Sequence, residues 1–76
     1  MKLWILEARR GKGIFGYDCY HGFVVRAENE TDARRMAADK HGDEGENAWL
    51  IAEYSTCNEL TLDGKSGIVL GNFNAG

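Results

Sequence analysis

Residues Gly22–Gly42, GFVVRAENETDARRMAADKHG, carry a strand pattern, a helix start, a helix face and a helix stop in that order. No other stretch of the chain limits its fold as much. Asn29 is a strong N-cap type, because its side-chain oxygen accepts from a first-turn N–H that has no partner within the helix. Glu30 and Asp32 follow, where the positive end of the helix dipole favours carboxylates. Ala33, Met36, Ala37 and His41, with Lys40 beside them, form a narrow stripe at helical spacing. Small residues on such a stripe let a helix lie close to a sheet. Lys40 and His41 suit the negative end of the dipole, and Gly42 is placed for a left-handed stop.

The flanking segments read as strands and loops. Leu3–Ala8 is apolar on both alternating faces, the pattern of a central strand covered on both sides. Arg9–Tyr17 (RRGKGIFGY) has Gly11, Gly13 and Gly16 within eight residues and reads as a loop. Cys19–Glu28 alternates as a second strand, with Cys19, His21, Phe23, Val25 and Ala27 on the core face and a hairpin partner in the first strand. Asp43–Asn47 (DEGEN) is an acidic loop. Ala48–Tyr54 (AWLIAEY) reads as a third strand, and Ser55–Asn58 as a turn. Glu59–Leu62 and Ile68–Leu70 flank an Asp63-Gly64 hairpin signal. The tail Gly71–Gly76 is expected to fray, with Phe73 docking. The expected order is β-β-α-β-β-β: an α+β fold with a mostly antiparallel sheet of four to five strands and one helix packed on one face.

A chain of 76 residues has room for one domain, spanning 1–76. At 43% hydrophobic and 11% aromatic it is too apolar for disorder. No apolar run approaches the roughly 20 residues of a membrane span. MKLWIL, followed by Glu7 and Arg9-Arg10, does not read as a signal peptide. Cys19 and Cys57 form no disulfide framework and are expected as free thiols, so the expected location is the cytoplasm. Residues 1–26 hold five cations against two acids and residues 27–76 four against ten, so a net charge of −3 divides into +3 and −6. Such a dipole suits electrostatic steering towards a partner.

The chemistry-bearing residues point to no reaction. Asp43, Glu44 and Glu46 lie in a loop with no pocket to shift a pKa, so no carboxylate pair is read as catalytic. Cys19, His21, His41 and Cys57 are the right types for zinc but lack the close ligand spacing of familiar sites, and no third group orients a Cys–His nucleophile. No catalytic residue, metal ligand or cofactor is therefore expected. RRGKGIFG matches no nucleotide-binding motif, although its Gly-Lys-Gly core is able to cradle an anion with backbone amides. Arg9, Arg10 and Lys12 for phosphates, with Phe15, Tyr17 and Tyr20 for stacking, compose an alternative nucleic-acid-binding surface. A four-stranded sheet with exposed aromatics is one way such proteins hold single strands. The acidic balance of the chain speaks against direct nucleic-acid binding.

Several segments taken together (KLWIL, GFVVRAENETDARRMAADKHGDEG, AWL, STCNEL and GIVLGNFNAG) resemble small proteins encoded in phage and prophage genomes. In that group the helix block reads RAxTExEARxxA followed by GDEG. This chain departs from the group in its short glycine-rich loop after the first strand and in Ile51-Ala52-Glu53 after AWL. The pattern is structural and carries no site residue over. Phage proteins of this size that are not virion parts often act stoichiometrically on host machinery, anti-CRISPR proteins among them. The resemblance implies a non-enzymatic binding protein, monomer or homodimer, that blocks a host complex such as a CRISPR effector. The expected partner-binding residues are Asp32, Asp39, Asp43, Glu44 and Glu46, with Phe15, Tyr17 and Tyr20 as an aromatic rim. A nucleic-acid-binding accessory module and a virion structural or assembly protein are the alternatives.

Overall fold

The computed structural model describes residues 1–71, so the expected docking of Phe73 lies outside the described residues. The chain forms β1 (Lys2–Ala8), β2 (Gly22–Ala27), α1 (Glu30–Asp39), α2 (Asn47–Leu50) and β3 (Ser55–Leu60). The three strands make one antiparallel sheet in the order β2-β1-β3. The α+β class and the antiparallel sheet agree with the sequence. The expected four to five strands with one helix do not: there are three strands and two helices among the described residues.

β1 is central, as its apolar sequence implies, and pairs with β2 in the register Trp4↔Val25 and Leu6↔Phe23. That register puts Trp4, Leu6, Phe23, Val25 and Ala27 on one face. Both helices cover this face: Leu6, Val25 and Ala27 join Ala33, Ala37, Ala38, Ala48 and Trp49 in the core. The opposite face presents Leu3, Ile5, Val24 and Leu60 and has no helix over it. Among the strand residues no aromatic side chain stands on that face.

α1 starts as its sequence dictates. Asn29 Oδ1 accepts from Asp32 N at 2.9 Å, and Asn29 itself is extended. The buried face differs from the expected stripe. Ala33, Arg34, Ala37 and Ala38 point inward, while Met36 and His41 are exposed. The helix is rotated by about one position because the Arg34 guanidinium has partners inside. Gly42 is not the left-handed stop either, since it is not among the positive-φ glycines. A Cβ on Gly42 would lie 2.4 Å from Asp18 O, so this position is glycine because another loop's backbone passes against it.

Four further corrections concern strands. Residues Cys19–His21 are loop, and β2 begins only at Gly22. The expected strand Ala48–Tyr54 is the one-turn helix α2 and a following turn, in which Ile51 N donates to Asn47 O at 3.1 Å and Tyr54 N to Ile51 O at 3.0 Å. Short apolar runs are ambiguous by periodicity, and here the contacts of Trp49 decide the outcome. The expected turn Ser55–Asn58 belongs instead to β3. Its polar sequence suits a strand at the sheet edge. The Asp63-Gly64 hairpin does not form. Gly64 has φ +143° and Thr61 Oγ1 donates to Asp63 O at 3.2 Å, but Ile68–Leu70 pairs with no strand among the described residues and is exposed. Three residues of ladder are too few to offset the ordering of the five-residue loop before them.

The close approach of α1 rests on its alanines, so Ala37→Leu should lower stability by about 1–3 kcal/mol through overpacking. In a domain of this size each kcal/mol is about 4–8 °C in Tm, readable in a thermal melt by circular dichroism.

Candidate functional site

The loop Phe15–Tyr20 and the loop Gly42–Glu46 are stitched to one another. Asp43 N donates to Asp18 O at 2.9 Å, and Tyr20 N donates to Glu44 Oε1 at 3.3 Å. Glu44 is the hub of this junction and is only 9% exposed. Its Oε1 also accepts from Gly42 N at 2.9 Å, and its Oε2 accepts from the indole Nε1 of Trp49 at 2.6 Å. Burial alone would raise its pKa. The indole N–H and the backbone N–H groups of Glu44 itself, Gly42 and Tyr20 outweigh that and hold the carboxyl below its ordinary value. The expected role of Glu44 as a solvent-facing partner contact is therefore not available to it. Its carboxylate is already fully engaged inside.

Arg34, 8% exposed, forms the second buried charged node. Its Nε donates to Glu30 Oε2 at 2.8 Å, one helical turn earlier. Nη1 donates to Trp49 O at 2.8 Å and to Ser55 Oγ at 3.0 Å, while Nη2 reaches Ser55 O at 3.1 Å. One guanidinium thus ties α1 to the end of α2 and the start of β3. Sequence reasoning missed Arg34. Its i,i+4 relation to Glu30 was visible, but nothing in the sequence placed the pair inside.

The remaining expected contact residues stay at the surface. Asp32 and Asp39 lie on the solvent side of α1, seven residues apart and hence on one stripe, with Arg35 and Met36 between them. Asp43 and Glu46 are exposed in the stitched loop. Tyr17 is 90% exposed, and Tyr20 is half exposed with its ring stacked on Phe23 at 4.6 Å between centroids. Phe15 is not a free rim residue: it packs edge-on against Trp49 at 5.5 Å. The loop that carries Tyr17 and Tyr20 is thus joined to the loop that carries Asp43 and Glu46 by the hydrogen bonds at Asp18 and Tyr20.

The three basic residues of the glycine loop divide in their partners. Arg9 Nε donates to Ala52 O at 2.8 Å and its backbone N–H to Tyr54 O at 2.9 Å, pinning the loop to the turn before β3. Lys12 Nζ sits 3.7 Å from Glu53. Arg10 makes no ion pair among the described residues. Cys19 closes the aromatic loop on itself: its thiol donates to Tyr17 O at 3.3 Å, and Gly16 N donates to its sulfur at 3.4 Å. The His21 ring donates from Nε2 to Gly16 O at 3.1 Å. Cys57 is half-buried, and burial, then the Glu30 carboxylate, pushes its thiol pKa up against the opposing pull of Arg34. A thiol so disfavoured as thiolate is a poor nucleophile. Among the described residues no three His, Cys, Asp or Glu side chains gather as metal ligands. The chain matches no family model, no curated protein and no solved structure.

Two variants test the buried nodes. Glu44→Gln puts an amide NH₂ against an N–H donor and should cost about 1–3 kcal/mol at pH 7. A carboxyl whose pKa is lowered by folding stabilises the fold above the unfolded pKa and loses that effect as pH falls through the folded value. The difference in Tm between wild type and Glu44→Gln should therefore shrink as pH is lowered from about 5 towards 3. Arg34→Lys keeps the charge but not the planar fork. With Ser55 and Trp49 carbonyls left short of donors, it should cost about 2–3 kcal/mol in urea denaturation.

Proposed function

We propose that this chain is a non-enzymatic binding protein that sets an acidic, tyrosine-bearing surface against a basic surface of its partner. The concrete form of the proposal is a phage-derived inhibitor acting in the host cytoplasm. It blocks a nucleic-acid-binding surface of a defence complex, in the manner of an anti-CRISPR protein. What supports this reading is the junction of two loops, in which the loop bearing the exposed Tyr17 and Tyr20 is hydrogen-bonded to the loop bearing the exposed Asp43 and Glu46. Aromatic anchors surrounded by polar groups dominate interface energies, and a tyrosine as exposed as Tyr17 is an anchor with no contact of its own to lose. The acids steer the encounter, since ten of the twelve in the chain lie beyond residue 26. Glu44 takes no direct part. It holds the surface in shape from below. Asp32 and Asp39 extend the same negative charge along α1. Among the described residues no helix is long and apolar enough to cross a membrane.

The test is biological and biochemical together. Expressed in a bacterium whose CRISPR system targets an infecting phage, the chain should restore plaques. The double variant Asp43→Lys/Glu46→Lys and the variant Tyr17→Ala should each reduce that recovery at least tenfold while melting at the wild-type temperature. Plaque recovery unchanged in all of these variants would reject the acidic-aromatic surface. No recovery against any CRISPR type would reject the inhibitor reading itself.

A further inference from the structure

The glycine loop and the segment that returns to it at Leu70-Gly71 border an open cleft of about 640 Å³, within the ordinary size range of small-molecule sites. Glu7, Arg10, Lys12, Tyr17, His21 and Leu70 are among the residues that line it. We propose that this cleft binds a mononucleotide, its phosphate held by the glycine loop and its base laid against Tyr17. The proposal concerns a small ligand and does not rest on the protein-binding surface described above.

The phosphate end follows from the backbone. Among the described residues, no main-chain N–H from Arg10 to Phe15 donates to a main-chain carbonyl. Gly11 has φ +80° and Gly13 φ +77°, each separated from the next by an ordinary residue. Left-handed residues interleaved in this way turn successive amides towards a common centre, which is how backbone nests bind anions. A Cβ at either glycine would meet no atom within 4 Å, so packing does not require glycine there. The left-handed backbone does.

The side chains supply charge and a ring. Arg10 has no ion pair, and Lys12 has only a loose, exposed one with Glu53 at 3.7 Å, which a phosphate is able to replace. Arg9 is committed to Ala52 O and supplies charge without contact. Glu7 lines the strand end of the cleft and repels an anion there, so the phosphate is directed to the loop end. The exposed Tyr17 ring and the His21 ring, oriented by Gly16 O, give the base a wall for stacking. A phosphate alone would leave that wall unused, and a nucleoside alone would leave the amides unused.

The full chain is titrated with adenosine monophosphate, with adenosine, with inorganic phosphate and with oligothymidylates of increasing length, by isothermal calorimetry and amide NMR. The nucleotide should bind saturably and at least tenfold more tightly than either adenosine or phosphate. It should also move the amide resonances of Gly11, Lys12 and Gly13. Arg10→Ala and Tyr17→Leu, both changes of exposed side chains, should each weaken it at least fivefold with Tm unchanged. Absence of nucleotide binding, or equal binding of phosphate alone, would overturn the proposal. So would an affinity for oligothymidylate that climbs steeply with length, because the loop would then belong to an extended strand-binding surface.

Discussion

Trp49 is gripped from two sides by buried charges, and most of the fold depends on that grip. Its indole N–H donates to Glu44, its carbonyl accepts from Arg34, and its ring is edge-on to both Phe15 and Phe23. A buried charge is costly unless its partners are complete. Here they are: Glu44 accepts three hydrogen bonds and Arg34 donates four, and among the described residues no buried side-chain N or O lacks a partner. The two charges do not meet one another. Each fixes a different half of the molecule to the same residue. Arg34 fixes α1 and the entry to β3, while Glu44 fixes the two loops at the other end of the core. A core this small and rich in alanine has little apolar area to define one arrangement by packing alone. The polar contacts around Trp49 supply the directionality that the alanines cannot.

The same grip explains which parts of the fold could be read from the sequence. β1, β2 and the start of α1 were legible because local rules decide them: alternation, a capping side chain and acids in the first turn. Residues 48–54 were not. An extended strand beginning at Ala48 would point alternate side chains to opposite faces, whereas Trp49 is held by contacts on both its indole and its carbonyl. In the structure a turn of helix from Asn47 to Leu50 carries the indole, 2.6 Å from the Glu44 carboxylate, and apolar periodicity over seven residues carries no trace of that contact. The strand Ser55–Leu60 was hidden for a related reason. Ser55 looks like a turn residue until Arg34 is known to bond both its hydroxyl and its carbonyl. In each case a tertiary contact of a charged side chain overrode a local preference.

The candidate surface was legible in composition and not in detail. Asp43, Glu46, Tyr17 and Tyr20 are exposed as residues of their type in loops usually are. Glu44 has the same type and the same neighbours as Asp43 and Glu46, yet it is the one that turns inward. The difference is its position two residues after Gly42, whose missing Cβ lets the Asp18 carbonyl approach and leaves the Gly42 amide for Glu44. A sequence reader sees a helix followed by glycine and reads a stop. The structure uses the glycine for contact between loops.

Tyr17 is the residue that the proposed acidic surface and the proposed nucleotide cleft have in common. It lies within the basic N-terminal third of the chain. The loop carrying it is braced on both sides: Cys19 and His21 close it internally through Gly16 and Tyr17, and Glu44 holds its far end at Tyr20. A loop so braced presents its tyrosine at little further cost in backbone entropy, which favours binding on either side. The ring itself is free to turn and cannot serve both partners at once. Occupation of the cleft by a base would withdraw Tyr17 from the acidic surface. Were both proposed sites occupied by their ligands, linkage would make each ligand weaken the other by the same factor, with Tyr17 as the residue they contest.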